Sequence, residues 1–351
     1  MKFRIPKVRH PYYEDSTTQL WLGSATSLSE IPPESVDCLV TSPPYYLMKT
    51  YSDSVPLQWG GDRDCAHSYN DASKCLCGAW LGVLGAEPTP SQYISNLICV
   101  FDEMKRILKP GGTVWVNIGD KYAGSGGAHT KTKNPGLSRS LARGGAPISS
   151  QPVEGVQRKS LYAIPARFQI AMIDAGWILR ADIIWSKTRP APQNVHDRPT
   201  ISHEYVLMFT KNGDYYYNYD AVAEDKSPAS MERMRYPKHG GNNRAWSEQY
   251  AVRSHEYAES ELIALKRNLR SVWSIAPKGA PRGFKFYAAY PETLVERCLL
   301  AGCPPGGTVI DPFVGSGTTT TVAQKLGLRS IGVDVSREYL DMTVKRIGGE
   351  Q

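Results

Sequence analysis

No stretch of the 351 residues approaches the roughly 20 consecutive apolar positions needed to span a bilayer. The opening MKFRIPKVRHPYYEDS carries basic residues with no apolar segment behind them, so no secretion signal is read there and the expected location is cytoplasmic. Cysteine is sparse and odd in number. The seven thiols, Cys38, Cys65, Cys75, Cys77, Cys99, Cys298 and Cys303, do not suit a disulfide framework and are expected to be reduced. No internal repeat is present. Charged residues make up 21% and hydrophobic residues 41%, ordinary globular usage that excludes wholesale disorder and a fibrous chain. A net charge of +7 admits a polyanionic partner without requiring one, so the motifs must decide.

Periodicity alternates between helix and strand. Ser35 to Ser42 reads as a short buried strand that ends at two prolines, and Pro90 to Leu108 has helical spacing with Ser91 as the expected N-cap. Lys109 to Gly112 should stop that helix before the strand TVWVNIGD. A second unit runs from Ile164 through a turn at Gly176 into WILRADIIW. A third runs from a helix over Glu292 to Leu300 through TVIDP, a glycine loop, the helix TTTTVAQKL and the strand SIGVD. Such alternation predicts an α/β fold built on an open, mostly parallel sheet. Two stretches interrupt it. Residues 121–160 hold seven Lys or Arg against one Glu and read as a flexible basic loop, while residues 189–270 lack a clean period and read as a separate small module. The expected division is 1–188, 189–270 and 271–351, the first and last forming one domain.

Two motifs carry chemistry. In Thr41-Ser42-Pro43-Pro44-Tyr45, two prolines fix φ and supply carbonyls without competing N–H groups. Ser42 Oγ and the Pro43 carbonyl can accept the two hydrogens of an aromatic amine, directing its lone pair at a methyl donor. Tyr45 can stack on a base turned out of a duplex. The same four residues also suit a plain rigid turn. The second motif, Asp311-Pro312-Phe313-Val314-Gly315-Ser316-Gly317-Thr318-Thr319, lies between a strand and a helix, with Asp334 ending the next strand. Strand, glycine loop and helix form a nucleotide-cradling arrangement in which Gly315 and Gly317 let the backbone approach a ligand. Thr320 stands where a dinucleotide fingerprint has its third glycine, which argues against NAD and suits a ligand without phosphates. S-adenosylmethionine is such a ligand: Asp334 would take its ribose hydroxyls, Phe313 would pack on its apolar parts, and Asp311 would face its cationic methionine end.

Together the motifs resemble the DNA amino-methyltransferases, and through VDCLVTSPPYY, LKPGGTVWVNIGDKYAG, AGWILRADIIWSK, SHEYVLMFTK and YPETLVERCLLAGCPPGGTVIDPFVGSGTTT the chain is similar to phage and prophage members. With SPPY first and DPFVGSGTT last, the order looks like the beta class, a circularly permuted version. The resemblance implies a Rossmann-like S-adenosylmethionine-dependent methyltransferase sheet with an inserted target recognition region over 189–270. Residues around Phe286 to Glu292 would complete the cofactor pocket, double-stranded DNA would be the substrate, and a homodimer is expected. Leu22-Gly23-Ser24 stands where many members have Gly-Asp, so a carboxylate contact from that point is not carried over from the resemblance. Ser42 replaces the Asp of the DPPY form and points toward cytosine N4, whereas the abundance of adenine-N6 members points the other way and places adenine N6 slightly ahead. Methylation of a ring carbon would need a cysteine nucleophile after proline, and none of the 25 prolines precedes a cysteine. Rival readings are the same chemistry on RNA or a protein amide, and a DNA-binding regulator without catalysis.

Further candidates are less specific. Cys65, His67, Cys75 and Cys77 offer four soft ligands within thirteen residues, enough for a structural zinc. Lys131, Lys133, Arg139, Arg143, Arg158 and Lys159 are candidates for DNA phosphates. Arg198, Arg233, Arg235, His239, Asn242, Asn243 and Arg244 have the donors and acceptors that read base edges. Tyr215, Tyr216, Tyr217 and Tyr219 suit packing better than stacking on bases.

Overall fold

The computed structural model describes residues 10–47, 55–62, 64–124, 153–193, 195–226, 266–277 and 290–348. The chain enters through β1 (Tyr13–Glu14) and β2 (Thr18–Leu22), then runs into β3 (Val36–Thr41), five of whose six residues are buried. A small antiparallel pair follows, β4 (Leu57–Trp59) and β5 (Trp80–Gly82). Helix α1 (Pro90–Ile107) buries Tyr93, Ile94, Leu97, Val100, Phe101, Met104 and Ile107, steps of three and four that make one apolar face. Its cap is Thr89, whose side chain accepts the Gln92 N–H, and not Ser91 as expected from the sequence. Pro90, lacking an N–H, occupies the first helical position where none is needed. Ser91 instead donates its hydroxyl to Glu154 at 2.7 Å.

Strand β6 (Leu108–Ile118) takes in the Lys109 to Gly112 turn as an irregularity, and then pairs in parallel with β3 from Thr113 onward. Helix α2 (Ile164–Asp174), β7 (Ile178–Lys187) and β8 (His203–Thr210) come next. After α3 (Tyr219–Val222), β9 (Glu224–Asp225) and β10 (Lys266–Arg267), the chain returns through β11 (Val272–Ile275). It closes with α4 (Glu292–Gly302), β12 (Thr308–Asp311), α5 (Thr318–Lys325), β13 (Arg329–Asp334) and α6 (Arg337–Ile347).

Among the described residues, nine of these strands form one sheet in the order β1-β2-β13-β12-β3-β6-β8-β7-β11. All neighbours are parallel except β1 against β2 and β8 against both β6 and β7. Adjacent residues of a strand face opposite ways. Leu39 accordingly joins the core with Leu97, Val100 and Met104 of α1, while Cys38 sits beside Cys298 and Cys303 at α4. Helices therefore cover both faces, and the expected α/β sheet is present.

Contacts divide the chain into two units, Met1–Tyr217 with Ser271–Gln351, and Asn218–Arg270. The division expected at residue 189 falls too early, because His203 to Thr210 is an inner strand of the large sheet. Every residue from Val206 to Thr210 is buried, so this inner antiparallel strand reads as an apolar run without the alternation that marks a strand with one face in solvent. In the second unit β9 pairs with β10, and both Arg267 and Arg270 engage Glu224. No helix among the described residues is long and apolar enough to cross a membrane.

Candidate active site

The carboxyl ends of β3, β6, β12 and β13 bring the two sequence motifs together. Thr41, last residue of β3, donates its hydroxyl to Asp311 Oδ1 at 2.6 Å, spanning 270 positions of sequence. Ser42, Pro43, Pro44 and Tyr45 follow at once. The Tyr93 hydroxyl donates to the Pro44 carbonyl at 2.8 Å, and Gly85 packs so near the turn that a Cβ there would lie 3.0 Å from the Tyr45 carbonyl oxygen.

Tyr45 does not swing free. Its ring rests against Gly119, where an added Cβ would come within 2.9 Å, and its hydroxyl lies 2.7 Å from Glu204 Oε2 and 2.9 Å from Asn117 Oδ1. Glu204 also receives the Asn117 amide at 3.2 Å and the Lys187 ammonium. Burial, reinforced by the Glu204 charge, pushes the Tyr45 hydroxyl well above its ordinary value, so it remains a neutral donor. Ser42 Oγ lies 3.5 Å from Asn117 Oδ1 and 3.4 Å from the Tyr45 hydroxyl, contacts long enough to yield to a better partner. Asn117, Gly119, Lys187 and Glu204 were not singled out from sequence. The available signals were a lone polar residue inside VWVNI and a charge at the head of an apolar strand.

The two aspartates of the second motif differ in how much of their accepting capacity is used. An ionised carboxylate offers about four acceptor positions. Asp311, 1% exposed, fills them with Thr41 Oγ1 and the Phe313 N–H on one oxygen and the hydroxyls of Tyr290 and Thr319 on the other. It therefore ties the loop to β3, where the sequence reading had it facing a ligand's cationic end. Burial raises its pKa despite these donors. Asp334 accepts the Gly315 N–H at 3.0 Å on one oxygen and the Ser336 N–H at 2.8 Å on the other, with the Val335 N–H also directed at it, and so keeps room for a further hydroxyl donor. Burial pushes its carboxyl up to about 6.

Between them the loop is tight. Gly315 and Gly317 adopt φ of 51° and 77°, left-handed values, and Gly317 caps α5. Thr343 of α6 donates to the Gly315 carbonyl, and Arg346 reaches both the Ser316 carbonyl and Thr318 Oγ1. Pro312 and the partly buried Phe313 complete the stretch. The donor set fits an adenosyl ligand: a carboxylate with accepting capacity left for a ribose, backbone N–H groups at a helix start for a carboxylate, and an aromatic wall. Of the residues placed around the pocket by resemblance, 286 to 289 lie outside the described residues, whereas Tyr290 is buried against Asp311 and Thr319.

The remaining candidates fare differently. Lys131, Lys133, Arg139, Arg143, Arg233, Arg235, His239, Asn242, Asn243 and Arg244 all lie outside the described residues. Arg198 is engaged within the protein, its guanidinium 3.9 Å above the Tyr122 ring and bonded to Gln193. Lys159 is paired with Asp197 at 2.7 Å. Cys65, His67, Cys75 and Cys77 converge in a separate cluster beside β4 and β5, their ligand atoms within 4.8 Å of one another.

Comparison with known proteins places this geometry. Residues 36–345 match a family model described as DNA methylase, the N6/N4 methyltransferase family. The chain is 32% identical to the type II methyltransferase M.Cfr9I of Citrobacter freundii, with 94% of this chain and 88% of the relative covered. It is 33% identical to the type II methyltransferase M.SmaI of Serratia marcescens, covering 90% and 85%. Among solved structures, the cytosine-N4-specific PvuII DNA methyltransferase shares the fold with a TM-score of 0.58 at 18% identity, covering 96% of this chain and 88% of that one.

Proposed function

The chain belongs to the N6/N4 family of DNA methylases, and from that membership we propose that it moves a methyl group from S-adenosylmethionine to the exocyclic amino nitrogen of a base in DNA, with cytosine N4 as the target. The bond between Thr41 and Asp311 carries the reading, because it fixes the acceptor turn and the glycine loop in one frame. S-adenosylmethionine supplies an electrophilic methyl when bound, held by Asp334 at its ribose and by the loop from Asp311 to Thr319. A base in a duplex has its amino group paired, so it must be turned out of the stack. Tyr45, backed by Gly119 and held at its hydroxyl by Glu204, offers a preset ring for that base. Ser42 Oγ and the Pro43 carbonyl take the amino hydrogens. Asn117 Oδ1, beside Ser42, adds an acceptor. Such fixed acceptors favour the nitrogen geometry needed for direct, in-line transfer.

Cytosine is preferred because Ser42 leads the motif where an Asp leads the DPPY form. The adenine lead read from sequence rested on how common adenine members are, a weight no residue of this chain carries. The test is mass spectrometry of nucleosides, with single-molecule sequencing, on DNA from methylation-free cells expressing the protein or its Tyr45→Ala variant. N4-methylcytosine at one sequence motif is expected, with the variant nearly inactive yet still binding cofactor. N6-methyladenine would reverse the base, and neither base with folded, cofactor-binding protein would remove DNA as substrate.

A further inference from the structure

Between the acceptor turn and α1, the chain from Leu57 to Gly82 forms the β4–β5 pair and a long loop that joins its two strands. Trp59 and Trp80, cross-strand partners of the β4–β5 pair, join the main core, and between them the described residues bury only Cys75 and Ala79. The intervening loop therefore has almost no apolar packing of its own, the situation in which small folds use a staple. The loop nevertheless takes costly backbone: His67 and Ser73 have positive φ, 27° and 57°, although neither is glycine.

We propose that Cys65, His67, Cys75 and Cys77 bind a structural zinc ion through three thiolates and one imidazole. Cys65 Sγ lies 3.7 Å from Cys75 Sγ, and Cys77 Sγ lies 3.3 Å from His67 Nδ1. A tetrahedral zinc with Zn–S near 2.3 Å and Zn–N near 2.0 Å has edges of about 3.8 Å between sulfurs and about 3.5 Å from sulfur to nitrogen. The observed edges are close to these, and the sulfur separation is far beyond the roughly 2 Å of a disulfide.

Two surroundings favour a metal over a merely crowded loop. Backbone N–H groups point at the sulfurs, from His67 to Cys65, from Cys77 and Ser68 to Cys75, and from Ala79 and Asp62 to Cys77. Amides directed at sulfur are outer partners that orient metal-binding side chains. The second ring nitrogen of His67 is also held, 2.6 Å from the Gln58 side-chain amide, which in turn meets the Tyr69 hydroxyl at 3.1 Å. With Nδ1 on the metal, Nε2 carries the proton, and the amide oxygen of Gln58 turned toward it would accept. A partner of this kind orients a ligating imidazole.

The clamp has a neighbour that matters. Beyond β5 the chain reaches Gly85, whose carbonyl accepts the Leu47 N–H at 2.7 Å beside the acceptor turn. The metal thus holds the segment that leads to Gly85 and its contact with the turn.

The test uses the full chain, untagged and purified under reducing conditions without added metal. Elemental analysis is expected to give about one zinc per chain. Cobalt added to the metal-free chain is expected to give the absorption of a tetrahedral thiolate site. Cys65→Ser and Cys77→Ser should lose the metal while Cys99→Ser, outside the cluster, keeps it; circular dichroism and cofactor binding show whether each variant is folded. Zinc-free protein that takes up neither zinc nor cobalt would overturn the proposal, as would full zinc content in folded Cys65→Ser and Cys77→Ser.

Discussion

Asp311 and Asp334 are the same residue type at the ends of adjacent strands, yet their partners give them different work. Asp311 has four donors, three of them hydroxyls, and binds the protein to itself; Asp334 is met by backbone N–H groups of its own turn and the glycine loop and keeps capacity for a ligand hydroxyl. With its pKa raised to about 6, Asp334 retains its proton in the folded chain at pH values where an unfolded carboxyl, near 3.8, has lost it. Its contribution to stability is therefore greatest at low pH and declines as pH rises from about 4 to about 6. Cofactor binding runs the opposite way, since ribose hydroxyls need an ionised acceptor. Affinity measured by titration calorimetry should be full at pH 7.5 and fall about tenfold per unit below pH 6. Asp334→Asn should abolish that dependence and weaken binding at pH 7.5 by roughly ten- to a hundredfold, the worth of a charged hydrogen bond. A wild-type affinity unchanged down to pH 5 would assign the ribose to another residue.

At the scale of elements, the glycine loop behaves as a part of the α5–α6 packing. A Cβ at Gly317 would sit 2.6 Å from Thr343 Cγ2, and Thr343 is the residue that holds the Gly315 carbonyl. Gly317→Ala must adopt a left-handed backbone at a cost of about 1 to 2 kcal/mol and also displace Thr343. A melting temperature lowered by several degrees, together with weaker cofactor binding, is expected; an unchanged melting curve would show that the loop tolerates a side chain. Long, strongly periodic elements were legible in the sequence: α1, β12, α5 and β13 lie where spacing put them, to within a residue or two. The cap of α1 was not, because Thr89 and Ser91 are both hydroxyl residues and the choice depends on Pro90 taking the first helical position. Contiguous motifs were readable for the same reason that β12 and α5 were, whereas Asn117, Lys187 and Glu204 meet Tyr45 only through strand pairing.

Across the whole molecule the least readable feature was β8. It lies between β6 and β7, antiparallel to both, in a stretch whose surroundings are polar and irregular. Local pattern cannot reveal that a strand is inserted between two others. Hydrogen exchange should show Tyr205 to Phe209 as slow as Val114 to Asn117, since amides in inner strands open only with the core. Fast exchange over Tyr205 to Phe209 would place that segment outside the sheet.

The link from Thr41 to Asp311 also bears on how such enzymes can be recombined. A chimera that takes its front half from one parent and its back half from another inherits Thr41 from the first and Tyr290, Asp311 and Thr319 from the second. If the front donor lacks the hydroxyl, a buried carboxylate loses one of its four partners and its charge is left partly unanswered. These four positions should be exchanged as a set, wherever the crossover is placed.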